Sequence, residues 1–469
     1  MLKKFNKIIT LIPTILLAGV LPTTLYSCSN SQAFYFANFE SYMSPTLMDR
    51  LKKEIDNINF RYYGTNENLE RSFDRNYDVA IPSTYLVAKL AGAEKLQKID
   101  WNKFGLSYVD SLGSVIQVTN ADLALNLFTQ DVQSILTNIY DVNGDGKQDS
   151  SDNLLNYGVP YFLQDFIMGY KGNEISQLKS NSNYIPTWED ILSFFGPRVG
   201  KKKEYNKIAM IDDYRTIYSI PRLIESNGSQ VNPSKSNTII SINEFENTYS
   251  YLSKYFSEQN SFLLNSDSGI ILNNFANKKG ADSGIMYNGD LLYAMLGGDE
   301  YSEDLTSSPF YVSENEELKS HYIRPKQTLV ALDMMVINKN TKHLDTAYDL
   351  INKVALEGVS SSDNIWEEDN NGNYVYGPMV NFDYILYTSP LQKIHNYVMN
   401  GDNPSDPNNN YRYFDYLFDY GFSSSFVEMC KEIFNIQTHP TPDNMIEKNL
   451  SELNKSNMFY GYSNIKLRL

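Results

Sequence analysis

Short runs that read as buried strands alternate with runs that read as helices, and this alternation leaves the chain few folds to adopt. Ala33-Phe34-Tyr35-Phe36-Ala37 is strand-like, and Leu47, Leu51 and Ile55 follow at helical spacing. Ile58 to Tyr62 is a second strand and Glu67 to Phe73 a helix. Tyr77 to Ile81 is a strand stopped by Pro82, with Ser83 and Thr84 suited to cap a helix over Tyr85 to Leu90. The pattern recurs. Tyr157 to Tyr161, Met168 to Tyr170, Lys207 to Ile211, Ser283 to Tyr287 and Thr328 to Ile337 read as strands; Trp188 to Phe195, Tyr214 to Glu225, Glu244 to Phe256 and Leu291 to Leu296 read as helices. Such alternation predicts parallel sheets covered on both faces. The 469 residues, 42% of them apolar, suffice for one large or two ordinary domains. The Asn-, Asp- and Pro-rich stretch Met399 to Tyr411, Ser226 to Ser236 and the turn Lys201 to Lys203 read as surface connections.

The N-terminus sets the compartment. Lys3, Lys4 and Lys7 precede an apolar stretch from Ile8 to Leu21, which ends in Leu25-Tyr26-Ser27-Cys28. A charged region, a short apolar region and a small residue before a cysteine make residues 1–27 an export signal, and resemble the bacterial lipoprotein box in which the cysteine, here Cys28, is acylated. The stretch is broken by Pro13 and Pro22 and is shorter than the roughly 20 residues a spanning helix needs. The chain is then expected outside the cell membrane, held to its outer face by lipid. Only Cys28 and Cys430 exist, so no disulfide framework supports the fold, and Cys430 reads as a buried small apolar residue.

The formal net charge of −16 argues against nucleic acid as a partner and is compatible with a cationic one. His321, His343, His395 and His439 have no paired zinc spacing; no phosphate loop and no nucleophile elbow occurs. Nothing in the motifs proposes an enzyme, and binding is the expected activity. Asp333 stands inside the apolar run Thr328 to Ile337, where an ionised carboxylate costs several kcal/mol unless it is paired. Its partner is either a cation or backbone cap within the protein, or a bound cation from outside.

Seven short motifs fall in one order along about three quarters of the chain. They are Asn38 to Tyr42, Tyr77 to Tyr85, Tyr157 to Tyr161, Thr187 to Asp190, Asp212 to Arg215, Met286 to Gly289 and Leu332-Asp333. In these the chain resembles the periplasmic spermidine/putrescine-binding proteins of polyamine ABC transporters. The resemblance implies an α/β, two-lobed type II periplasmic-binding-protein fold, each lobe a mostly parallel sheet flanked by helices with the ligand cleft between lobes. It divides the chain into lobe 1 (residues 28–165 and 333–396) and lobe 2 (166–332 and 397–469). It also implies a polyamine ligand, spermidine or putrescine, and partnership with permease subunits driven by a cytoplasmic ATPase. Asp213 and Asp333 fall on ligand carboxylates of the family, and Phe39, Tyr42, Tyr85, Tyr287 and Tyr387 on aromatic wall positions. A third family carboxylate is Thr216 here and one wall tryptophan is Ala331, while Glu40 is a candidate to restore the lost charge. From the residues alone, Asp213 could instead cap the helix that starts at Tyr214.

A second site is separable. Asp141, Asn143, Asp145, Asp149 and Asp152 place oxygen side chains at positions 1, 3, 5, 9 and 12 of a loop with Gly146 at position 6, and Lys147 would offer its backbone carbonyl. This is the spacing of an EF-hand-type calcium loop, with the flanking helix Val132 to Tyr140, in an insertion of lobe 1. No cofactor is required by the reading; structural Ca2+ is the one metal it points to. The alternatives are a calcium-dependent surface adhesin on the same fold, or a binder of another small cationic solute.

Overall fold

The computed structural model describes residues 33–469 apart from 148, 182, 201–205, 226–238, 257–260, 278–279, 299–303, 407–409, 437–440, 443–450 and 467–468. Residues 1–27, Cys28, Lys201 to Lys203 and Ser226 to Ser236 therefore lie outside the described residues.

The expected alternation is present. Strand β1 (Phe34–Asn38) pairs in parallel with β2 (Ile58–Tyr62) and with β3 (Val79–Ala80). Helices Pro45–Glu54 and Asn66–Asn76 cross between them and bury Leu47 and Leu51, and Leu69 and Phe73. A small hairpin, β4 (Ser107–Val109) and β5 (Val115–Gln117), lies apart.

One strand joins the two halves. The spacing predicted two strands, Tyr157 to Tyr161 and Met168 to Tyr170, because Gln164 and Asp165 interrupt the apolar run. They form a single 14-residue strand, β6 (Gly158–Lys171). Asp165 is tolerated there because Arg324 meets it, Nε to Oδ2 at 2.6 Å, with both side chains buried. The same guanidinium donates to the carbonyls of Glu432, Ile433 and Asn435 at the end of helix Ser424–Phe434. Excellent geometry and saturated donors are what make a buried ion pair tenable.

The chain continues through β7 (Ile208–Ile211), β8 (Phe262–Asn265), β9 (Ser283–Tyr287), β10 (Ser320–Ile323), β11 (Leu329–Ile337) and β12 (Thr441–Pro442). The strand order is β2-β1-β3-β11-β6-β9-β7-β8, with β10 on β6 and β12 on β11. Up to Asp165, β6 pairs with β11; from Phe166 onward it pairs with β9 and β10. In the first half β1 pairs in parallel with β2 and β3, and β12 with β11, while β11 runs against β3 and β6; in the second β7 pairs in parallel with β8 and β9, while β9 and β10 run against β6, so that this half is mixed rather than mostly parallel.

There are two apolar cores: one contains β1 and β3 and extends across the division to Ala209, Phe275 and Met286, and the other lies under β7. The C-terminal stretch does not stay together: Tyr413, Phe414, Phe426 and Phe434 join the core that contains β1 and β3, whereas Met458, Tyr462 and Ile465 of helix Glu452–Lys466 join the core under β7. Cys430 is fully buried, and burial pushes its thiol up.

Removing the cation from the buried pair should be costly. Arg324→Met leaves Asp165 charged in the core and is expected to lose about 3–5 kcal/mol of stability in urea unfolding. Lys103→Met, which breaks the exposed pair with Asp345, should leave the urea midpoint nearly unchanged, because solvent screens such a pair.

Candidate functional site

A cleft of about 690 Å³ opens between the two halves, where strand ends and helix starts of both meet. All eight residues expected to contact ligand line it: Phe39, Glu40, Tyr42, Tyr85, Asp213, Tyr287, Asp333 and Tyr387. Phe39 to Tyr42 follow β1, Tyr85 lies in helix Thr84–Gly92, Asp213 precedes helix Tyr214–Glu225, and Tyr287 ends β9.

Asp333 is 1% exposed. Three neutral donors meet it: Ser83 Oγ donates to Oδ1 at 2.6 Å, and Tyr42 Oη and Gln164 Nε2 to Oδ2 at 2.8 Å each. Hydrogen bonds to a charged acceptor contribute about 1.5–3 kcal/mol each, which offsets the cost of placing a carboxylate inside a strand. A local irregularity aims it. The pairing of β11 with β6 slips between Asp333 and Met334, opposite Pro160, which has no N–H to give the ladder.

The aromatic rings form one wall across both halves. Centroids are 5.9 Å apart for Phe39 and Tyr42, 5.4 Å for Tyr42 and Tyr387, 6.5 Å for Tyr387 and Tyr287, and 5.0 Å for Tyr287 and Phe166. Tyr387 fits because Gly289 lacks a side chain: a Cβ there would lie 1.5 Å from the ring.

The two oxygens of Asp213 have different surroundings. Oδ2 accepts from the Thr216 amide at 3.0 Å and from the Thr216 hydroxyl, so the helix-capping role holds for one oxygen. Oδ1 is buried and accepts no hydrogen bond among the described residues. Burial raises the carboxyl, the charge of Glu67 raises it further, and Thr216 and Arg215 oppose.

Among the lining residues that the sequence reading did not assign to the ligand are Glu67, Ser83, Gln164, Arg215 and Asp290. Glu67 accepts from Tyr85 Oη at 3.0 Å, and Arg215, from the opposite half, lies 4.0 Å over the Tyr85 ring. The Asp290 carboxylate accepts from Tyr387 Oη. Arg215 and Asp290 belong to or adjoin quoted motifs, the one signal that pointed to them. Thr216 and Ala331, the two departures, also line the cleft. Glu40 is exposed at its mouth. Asp212 is held by Tyr462 and Lys466 of the C-terminal helix.

The Asp141 to Asp152 loop lies elsewhere. Asp141 accepts from the amides of Gly144 and Gly146, Asn143 from Asp145, Asp145 from Lys147, and buried Asp152 from Val142 and Asp149. Asp149 accepts from Ser151. The oxygens thus turn on the loop's own amides, and among the described residues no three His, Cys, Asp or Glu side chains converge to hold a metal ion. Gly146 has φ 79°, the conformation position 6 requires. No helix among the described residues is long and apolar enough to cross a membrane.

Residues 2–439 match the family described as hypothetical lipoprotein (MG045 family). The chain belongs to the MG045 lipoprotein family. This MG045-family chain is also similar to the spermidine/putrescine-binding periplasmic proteins of Salmonella typhimurium and Escherichia coli, 23% identical over 212 and 211 residues. Those alignments span 44% of the chain and about half the length of the relatives, 48% and 47%. Two solved structures share its fold. A Listeria monocytogenes protein described as a spermidine/putrescine ABC transporter aligns with a TM-score of 0.54 at 15% identity, covering 93% of this chain and 99% of its own. The Tp0655 (TpPotD) lipoprotein of Treponema pallidum aligns with a TM-score of 0.51 at 14% identity, covering 93% and 100%. The MG045-family chain therefore has the two-lobed type II solute-binding fold expected from its motifs.

Asp290 carries a titration signature. Burial pushes its carboxyl up to about 7, against the pull of the Tyr387 hydroxyl. Its folded value lies above the unfolded one of about 3.9, so its contribution to stability is complete below that pH and lost as pH rises through about 7. Asp290→Asn should therefore be more stable than the parent at about pH 8, by on the order of 2 kcal/mol, with the gap closing towards pH 4. Thermal unfolding across that range checks it.

Proposed function

We propose that this chain is an extracytoplasmic substrate-binding protein of an ABC importer, which captures a polyamine between its lobes and hands it to a membrane permease driven by a cytoplasmic ATPase. The observation that carries the reading is Asp213 Oδ1, a carboxylate oxygen buried in the cleft with no donor among the described residues. A protein rarely leaves such an atom unmatched, and an ammonium supplies the missing donor. The aromatic wall suits the rest of a polyamine: flat rings cover a methylene chain and favour a cation over their faces, by about 0.5–2 kcal/mol each. Asp333 stands beside that wall, its charge already held by hydroxyl and amide donors. The names of the relatives support spermidine or putrescine as the ligand class. Capture of this kind needs no covalent chemistry, so the protein is read as a binder and not an enzyme. Membership of a lipoprotein family supports acylation of Cys28 and a place on the outer face of the membrane.

Calcium binding by Asp141, Asn143, Asp145, Lys147, Asp149 and Asp152 is a separate proposal. Its support is the spacing and the positive φ of Gly146, and its role would be to pin the insertion.

Calorimetric titration of the full-length chain in detergent, stripped of carried-over ligand, tests the main reading. Spermidine or putrescine should bind with a dissociation constant of about 1 μM or tighter, and Asp333→Asn and Asp213→Asn should each weaken binding by about tenfold or more, about 1.4 kcal/mol. A folded parent that binds neither amine would remove the polyamine assignment and bring the calcium-dependent adhesin reading forward. For the loop, added calcium should raise the melting midpoint of the parent and leave that of Asp141→Ala unchanged.

A further inference from the structure

The charge lining the cleft carries the polyamine reading one step further, to the number of amines on the ligand; this step rests on that reading. The outer acids drop out of the count. Glu40 and Asp267 are exposed, and Asp212 is held by Lys466 and Tyr462. Four carboxylates remain on the inner surface, Glu67, Asp213, Asp290 and Asp333, against one guanidinium, Arg215. Arg215 lies beside the first two of these, over the ring whose hydroxyl Glu67 holds. The inner cleft is thus matched by a ligand with three positive charges.

Asp290, like Glu67, is assigned by no motif, but Glu67 lies beside Arg215 and Asp290 does not. It stands in the first turn of helix Asn288–Met295, immediately after the Met286 to Gly289 motif. Its carboxylate is held by the hydroxyl of Tyr387 as that of Asp333 is held by the hydroxyl of Tyr42, and the two rings are 5.4 Å apart. The cleft therefore carries the same unit twice, a carboxylate oriented by a wall tyrosine. Among the described residues, burial and the Tyr387 hydroxyl act on this carboxyl and no charged group does.

We propose that Asp290 is the third ligand carboxylate of the cleft, standing in for the one lost at Thr216, and that it makes the site prefer a triamine to a diamine. A triamine places an ammonium against each of three carboxylates. A diamine of similar reach leaves one of them desolvated and without a counter-charge, which is unfavourable in a closed cleft. The raised titration of Asp290 agrees with a carboxyl kept out of water in the absence of a cation. A residue retained for binding at the expense of stability also differs from a structural one in the sign of its removal.

Spermidine and putrescine are titrated by calorimetry at about pH 8, where Asp290 is mostly ionised, into the full-length parent, Asp290→Asn and Asp290→Glu, with melting midpoints taken on each. The parent should prefer spermidine by about tenfold or more. Asp290→Asn should lose about tenfold in spermidine affinity and under about threefold in putrescine affinity, with a midpoint at or above the parent's, while Asp290→Glu keeps the preference. Unchanged spermidine affinity in Asp290→Asn, equal losses for both amines, or a midpoint well below the parent's would each overturn the role of Asp290 and leave the polyamine reading standing. A parent that binds neither amine overturns both.

Discussion

Arg324 and Asp165 meet at the point where β6 leaves one sheet for the other, and the rest of the molecule is arranged around that meeting. The pair draws on three distant parts of the chain, because the guanidinium also reaches the carbonyls at the end of helix Ser424–Phe434. Those carbonyls carry the negative end of the helix dipole, so the arginine satisfies a carboxylate and a helix terminus together. Neutral groups complete the junction. Asn288 donates to Thr388 and to the Ile433 carbonyl, and accepts from the Asp165 amide. The cleft walls spring from these same segments: Phe166 from β6, Asp290 two residues after Asn288, and Tyr387 just before Thr388. A junction with every polar group satisfied is stiff, which lets the side chains above it keep fixed positions without help from a ligand.

The cleft itself is built on a compromise between charge and solvation. Carboxylates strong enough to attract an amine must be taken partly out of water, and each is steadied by groups that do not neutralise it. Asp333 has two hydroxyls and an amide, Asp213 has one residue of its own helix, and Asp290 has a tyrosine. Such preorganised dipoles replace water around the charge and need no rearrangement when a cation arrives. Arg215 is the exception, a cation of the protein resting on an aromatic ring of the facing half.

The fold was legible where the sequence is locally consistent. Strand β2, β9 and helix Trp188–Phe195 have the bounds their patterns predict, since apolar periodicity and caps agree there. It was not legible at β6, where Gln164 and Asp165 look like a break and become intelligible only with Arg324 and Asp333 in place. The residues that line the cleft divide in the same way. Asp333 announced itself because a carboxylate in a buried strand needs explaining, whereas Glu67 and Asp290 sit in first turns of helices, where acids are ordinary. Their importance comes from what faces them across the cleft. No local pattern carries that information. The C-terminal helix was unreadable for a related reason: Lys466 acts on Asp212, 254 residues earlier.

Gly289 gives the aromatic wall its depth. Tyr387 sets the edge of its ring against the bare α-carbon of that residue, and through its hydroxyl it fixes Asp290, while the ring packs at a tilt against the one that fixes Asp333. The two charges are therefore geared to each other through a pair of rings whose seat is defined by one missing carbon atom. Relatives that carry a larger residue at this position would have to set the ring further out, and the two carboxylates with it. The gauge of the cleft, and so the length of ligand it accommodates, can be altered by a substitution that changes no charge and touches no ligand.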